Sequence, residues 1–235
     1  MKKTIILIFA ISTLFIFFGN TLFIAFESSE ESKCYGVTKN GKLEYAKRLP
    51  SIGDNFVTYS YIGSTIGRTS VHSKVRKIIL ASYSWLLQKN PEKKFVYGET
   101  GWPSGGKFRP HKTHQNGLSV DFMVPLIDED GHSVAMETNI LNKWGYNIEF
   151  DTKGNLGKKK IDYEAMAMHI YALKIKSKEN GAKIWRVIFD PKMAQYLFDT
   201  KYGKKIRDIQ FSKKRSWVRH DEHYHLDFEI SCNKL

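Results

Sequence analysis

Apolar residues recur at spacings of three and four between Ser70 and Asn90, where Val75, Ile78, Ile79, Tyr83, Leu86 and Leu87 define a core-facing helix that Pro91 closes. A second helix is predicted over Glu164–Glu179, with Ala165, Met168, Ile170, Tyr171 and Ile175 apolar and Asn180-Gly181 as its end. Asp190-Pro191 opens a shorter helix through Tyr196, since aspartate caps a first turn and proline fits inside it. Period-two patterning marks strands. Leu118, Val120, Phe122 and Val124 share one face, and Tyr224, Leu226, Phe228 and Ile230 share another. Phe95–Tyr97 reads as a short strand and Trp185–Phe189 as a buried one. Helices alternating irregularly with short strands predict an α+β domain, a small, mainly antiparallel sheet flanked by helices, over a doubly wound fold.

The same alternation sorts the polar residues. Ser119 and Asp121 fall on the face opposite the apolar one, as do His223, His225, Asp227 and Glu229 on the last strand. His220 breaks that parity and needs a bend to come round. His114 precedes its strand by a turn containing Gly117, which can carry it back towards Asp121. The blocks His114 to Asp121 and His220 to His225 hold four of the chain's eight histidines. They read as two halves of one metal site, because imidazole and carboxylate are the usual ligands of a catalytic zinc, with three protein ligands and a position left for water. Parity lets His223 and His225 converge without choosing between them. His72 and His132 are expected to face solvent, and His169 to be a satisfied core or boundary residue. His111, three residues before His114, is close enough to reach the same cleft.

Composition adds compartment and partners. Lys2 and Lys3 precede an apolar run from Ile5 to Phe18, resumed from Leu22 to Phe26, so residues 1–26 read as an export signal or a retained anchor in the inner membrane, and residues 27–235 as one domain outside the cytoplasm. That setting permits disulfides. The only two cysteines, Cys34 and Cys232, allow one pairing, worth roughly 4 to 5 kcal/mol on the chain-entropy account. A formal net charge of +13 suits an anionic partner, and export argues against nucleic acid. The lysine clusters 158–160, 204–205 and 213–215 read as solvated basic faces. Ser104-Gly-Gly-Lys107 matches the Ser-x-x-Lys of penicillin-binding enzymes, but Gly105-Gly106 is a poor start for the helical turn that chemistry needs, and no Lys-Thr-Gly accompanies it.

With the motifs assembled, Gly101-Trp-Pro-Ser-Gly-Gly-Lys-Phe-Arg-Pro-His-Lys-Thr-His114-Gln-Asn-Gly-Leu-Ser-Val-Asp121, then Arg186-Val-Ile-Phe-Asp-Pro191, then His220-x-x-His223-x-His225, the chain resembles the penicillin-insensitive murein endopeptidases, relatives of the lysostaphin-type and D-Ala-D-Ala peptidases. The resemblance runs from about Cys34 to Cys232. It implies a zinc peptidase domain with one Zn2+ per chain held by His114, Asp121 and His225. It also implies that His220 and His223 stand close to the metal-bound water and the substrate, and from that placement we expect His220 to take and return the water proton and His223 to hydrogen-bond the developing oxyanion. The family carries an acidic residue where Ser119 stands. No counterpart of an additional Asp and His pair is found around Asp151 to Lys160, which leaves His111 beside the metal as a supporting or substrate residue and predicts a mononuclear site.

The implied activity is hydrolysis of the D-alanyl to diaminopimelate cross-links of peptidoglycan by a zinc D,D-endopeptidase of the periplasm or cell envelope. A D,D-carboxypeptidase of the same metal class is the alternative enzyme, for which Arg109 or Arg219 could hold a terminal carboxylate. A non-catalytic wall-binding protein is the alternative outside enzymes. It leaves His220 and His223 without a use.

Overall fold

The computed structural model describes residues 2–216 and 219–235. Five strands build the central sheet: β1 (Phe56–Thr58), β2 (Phe95–Tyr97), β3 (Ser119–Met123), β4 (Lys183–Ile188) and β5 (His223–Glu229), in spatial order β4-β5-β3-β2-β1. Only β1 and β2 pair in parallel, so the sheet is mainly antiparallel and the class is α+β. The helices are α1 (Lys2–Ala25), α2 (Tyr61–Thr65), α3 (Ser73–Lys89), α4 (Tyr163–Glu179) and α5 (Pro191–Phe198).

Alternation along β3 and β5 gives the sheet two unlike faces. Val120 and Phe122 on β3, and Tyr224, Leu226 and Phe228 on β5, are buried on the helix-covered face. Each such side chain contributes about 1.5–3 kcal/mol on leaving water. On α4, His169 Nδ1 lies 2.5 Å from the Tyr224 hydroxyl, and its ring packs on Tyr83 of α3 at 5.0 Å and Phe122 at 4.7 Å. His169 is therefore a core residue, as expected, but not a fully satisfied one, since its Nε2 is buried without a hydrogen bond. The helices α3 and α4 pack together beneath this face, which leaves the opposite face to the polar residues.

Two expectations are corrected. His72 is 5 % exposed, not solvent-facing: Ser70–Val71 pairs with Lys47–Arg48, so α3 begins only at Ser73 and the His72 ring caps it, accepting from Lys74 N at 3.1 Å. The strand at Trp185 is an edge strand rather than a buried one, and Trp185 itself is 45 % exposed. Its register slips between Ile184, opposite Phe228, and Arg186, opposite Asp227. His132 is exposed, as its sequence context suggested.

The leading segment is helical and docks on the domain. Asn20 is fully buried and donates to Leu49 O at 2.9 Å and Ser51 Oγ at 3.0 Å, while the Thr65 hydroxyl donates to Ile16 O at 3.0 Å. Among the described residues no helix is long and apolar enough to cross a membrane. Cys34, on the strand Lys33–Val37, is bonded to Cys232 beyond β5, closing a sequence separation of 198.

Candidate active site

Asp121 is the hub. It is fully buried on β3, opposite His225 in the β3–β5 register, and its two oxygens face different groups. Oδ1 lies 2.9 Å from His225 Nδ1 and 3.3 Å from His114 Nε2. Oδ2 accepts from the Tyr146 hydroxyl at 3.0 Å and stands 3.8 Å from both His111 Nδ1 and His223 Nε2. Burial alone would raise the Asp121 carboxyl, but the surrounding imidazoles, His114 and His223 foremost, hold it well below its ordinary value.

His114 arrives through the predicted turn. Gly117 has φ +75°, and His114 itself sits at φ +66°, a left-handed conformation that is strained for a non-glycine residue and typical of functional positions. Its Nδ1 is 3.1 Å from Thr100 O, an acceptor only, so Nδ1 carries the hydrogen and Nε2 the lone pair. Nε2 is buried without a hydrogen bond. Burial pushes this imidazole below its ordinary pKa despite Asp121, which keeps it neutral.

On β5 the parity argument holds. His223, His225 and Asp227 share the site face. His225 Nε2 lies 2.9 Å from Asp227 Oδ1, so both of its ring nitrogens meet carboxylates. Burial pushes against the charged ring, yet Asp227 and Asp121 outweigh it and raise its pKa to about 10. A metal ion at Nδ1 would take the place of that proton. His223 is lowered to about 4 by burial, and its Nδ1 is 2.9 Å from Glu222 Oε1. His220 lies in the bend before β5, its ring 4.6 Å from that of His223.

A cleft of about 920 Å³ opens over these residues, lined by His111, His220, His223 and His225. Arg219 lines it too, but its charge is taken up by Asp221 and by Glu149 at 2.9 Å. Arg109 is exposed, and its carbonyl accepts from Arg68. Ser119, in place of an acidic residue, donates to Asp227 Oδ1 at 2.5 Å.

Several residues escaped sequence reading. Glu99 is buried beside His111, 2.6 Å from its Nε2, and also binds Arg68 and the Tyr59 hydroxyl. Tyr146 reaches Asp121 from a turn in which Lys143 and Trp144 both have positive φ, held by mutual capping of Asn139 and Asn142. Glu222 was passed over between its histidines. Burial, then the neighbouring Asp221, raise its carboxyl to about 9. Asp227 was on the right face by parity but had no assigned part.

Buried histidines and carboxylates gather around two antiparallel strands at the floor of a cleft, an arrangement of the hydrolase type, and among the described residues His111, His114 and Asp121 bring candidate ligand atoms within 4.8 Å of one another, a group that does not include His225. The sequence profile of the penicillin-insensitive murein endopeptidases matches residues 34–234, and the chain belongs to that family. No curated protein matches it.

Proposed function

We propose that this chain is a zinc-dependent D,D-endopeptidase that hydrolyses D-alanyl to diaminopimelate cross-links in peptidoglycan, and that His114, Asp121 and His225 hold the metal. The observation that carries the reading is His114 Nε2, a neutral imidazole nitrogen, buried without a hydrogen bond and 3.3 Å from the Asp121 carboxylate that also meets His225 Nδ1. A buried nitrogen of this kind costs free energy unless something binds it. Two imidazoles and a carboxylate are a donor set that zinc accepts. When bound, zinc supplies Lewis-acid activation of water and of the scissile carbonyl.

The remaining histidines divide the proton work. His220, in the cleft, takes the proton from the attacking water and returns it to the leaving amine. Glu222, neutral below about 9, can donate its hydrogen to His223 Nδ1, which leaves the His223 Nε2 hydrogen directed towards the Asp121 side, where an oxyanion would form. No serine nucleophile takes part, so a β-lactam has nothing to acylate.

The endopeptidase reading is favoured over a carboxypeptidase because Arg219 is already paired and Arg109 is exposed. A formal charge of +13 suits a substrate bearing free carboxylates, and the cell envelope is the compartment where that substrate lies. We take residues 1–26 as the export segment and 27–235 as the catalytic domain. The test is digestion of purified cross-linked muropeptide dimers with and without chelator. Chelator-sensitive conversion of dimer to monomer is expected. Release of terminal D-alanine alone, or conversion that chelator leaves untouched, would sink the proposal.

A further inference from the structure

Asp227 is more deeply tied into the sheet than a supporting acid needs to be. It is fully buried, and it lies on one rung with a residue of each neighbouring strand, Ser119 of β3 on one side and Arg186 of β4 on the other. Its Oδ1 accepts from Ser119 Oγ at 2.5 Å and from His225 Nε2 at 2.9 Å, while Oδ2 accepts from Arg186 Nε at 2.6 Å.

Strand alternation alone would not have put Arg186 there. Ile184 pairs with Phe228 on the apolar face, and in an unbroken register Trp185 would oppose Asp227 and Arg186 would oppose Leu226. The extra residue at the register slip turns Arg186 onto the site face, and its guanidinium packs on the Trp185 ring at 4.4 Å. Bulges beside functional sites commonly re-aim a side chain in this way. Here the re-aimed charge meets a carboxylate that has no solvent to stabilise it.

Both ring nitrogens of His225 face carboxylate oxygens, which only accept; Asp227, tied to Ser119 and Arg186, keeps the Nε2 hydrogen, and Nδ1, on the Asp121 side, is the ring atom whose hydrogen a metal ion would displace. We propose that Asp227, clamped by Arg186 through the β4 bulge and by Ser119 across the rung, is a positioning residue that fixes His225 as an Nδ1 donor to the metal. This rests on the zinc site proposed above. The Asp227 side chain touches neither substrate nor metal.

The experiment is competition for zinc against a chromophoric chelator with the full chain, paired with thermal melting of the metal-free protein. Asp227→Asn is expected to bind zinc about 10–100-fold more weakly, the range found when the carboxylate behind a metal-bound histidine is removed. Arg186→Gln, on a half-exposed edge strand, is expected to weaken binding in the same direction by a smaller factor. The exchange Ser119→Asp with Asp227→Ser returns a carboxylate to the same rung and is expected to recover much of the lost affinity, which a purely structural role would not require. Wild-type affinity in Asp227→Asn would overturn the positioning role and leave the zinc reading standing. If Asp227→Asn does not fold, unchanged affinity in Arg186→Gln would overturn it. A wild-type chain that takes up no zinc overturns both.

Discussion

The two histidines either side of Asp121 are held by opposite means. His114 sits in a left-handed turn with its back nitrogen on the main-chain carbonyl of Thr100, whereas His225 sits mid-strand with its back nitrogen on the side-chain carboxylate of Asp227. A carbonyl cannot be deleted by substitution, so the first histidine is vulnerable through the shape of its turn. The second is vulnerable through charge. One half of the site is thus set by backbone conformation and the other by sheet register and electrostatics.

The comparison can be broken most severely at the strand half. His225→Ala is expected to abolish stoichiometric zinc uptake and reduce dimer cleavage to background, read by metal analysis and muropeptide chromatography. His220→Ala should separate chemistry from metal binding: zinc stays near one per chain while hydrolysis falls by about 10²–10⁴-fold, the usual worth of a general acid–base group. Unchanged hydrolysis would remove His220 from the mechanism.

The turn half is probed by Gly117→Ala. An added Cβ would stand 2.6 Å from Leu43 Cδ2 and 2.8 Å from His72 N, at φ +75°. A loss of about 1–3 kcal/mol is expected from the overpacking, with weaker zinc binding because His114 is displaced. Melting with and without zinc measures both, and a variant that melts and binds like the wild type would mean the turn is not what holds His114.

A last test concerns pH. The Glu222 carboxyl, raised from 4.5 to about 9 by burial, holds a proton in the folded state that the unfolded state has released across that interval. Its contribution is fully present below about pH 4.5 and is lost as pH rises through about 9. Glu222→Gln removes this titration, so its melting temperature should fall less than the wild type's between pH 5 and 8.5. Roughly 2–4 °C is expected for each kcal/mol of the difference in a chain of this size. Parallel melting curves would refute the buried neutral acid.

The same division explains what could be read from the chain alone. On β3 and β5, alternation put Asp121, His223, His225 and Asp227 on one face and made His220 the residue that needs a bend, and the structure has all five so. Gly117 announced the turn at His114. Nothing announces Tyr146, because two consecutive left-handed residues without a glycine, Lys143 and Trp144, carry it to Asp121. Glu99 follows β2 outside any periodic run and acquires its role through partners distant in sequence, among them Arg68 and His111, 31 and 12 residues away. His72 looked like a surface residue because a cap and an exposed polar residue have the same signature in sequence. The β4 bulge has none, since one extra residue in a strand leaves the hydrophobic pattern locally ambiguous.

The bond between Cys34 and Cys232 turns almost the whole folded domain into a covalent ring. A protease that cuts once within it, for instance at the exposed turn around Asp130, opens the ring into a linear chain and releases no fragment. The piece bearing His114 and Asp121 stays attached to the piece bearing His223 and His225, and the two can re-close on each other as one molecule. Only a second cut, or a thiol, lets them part.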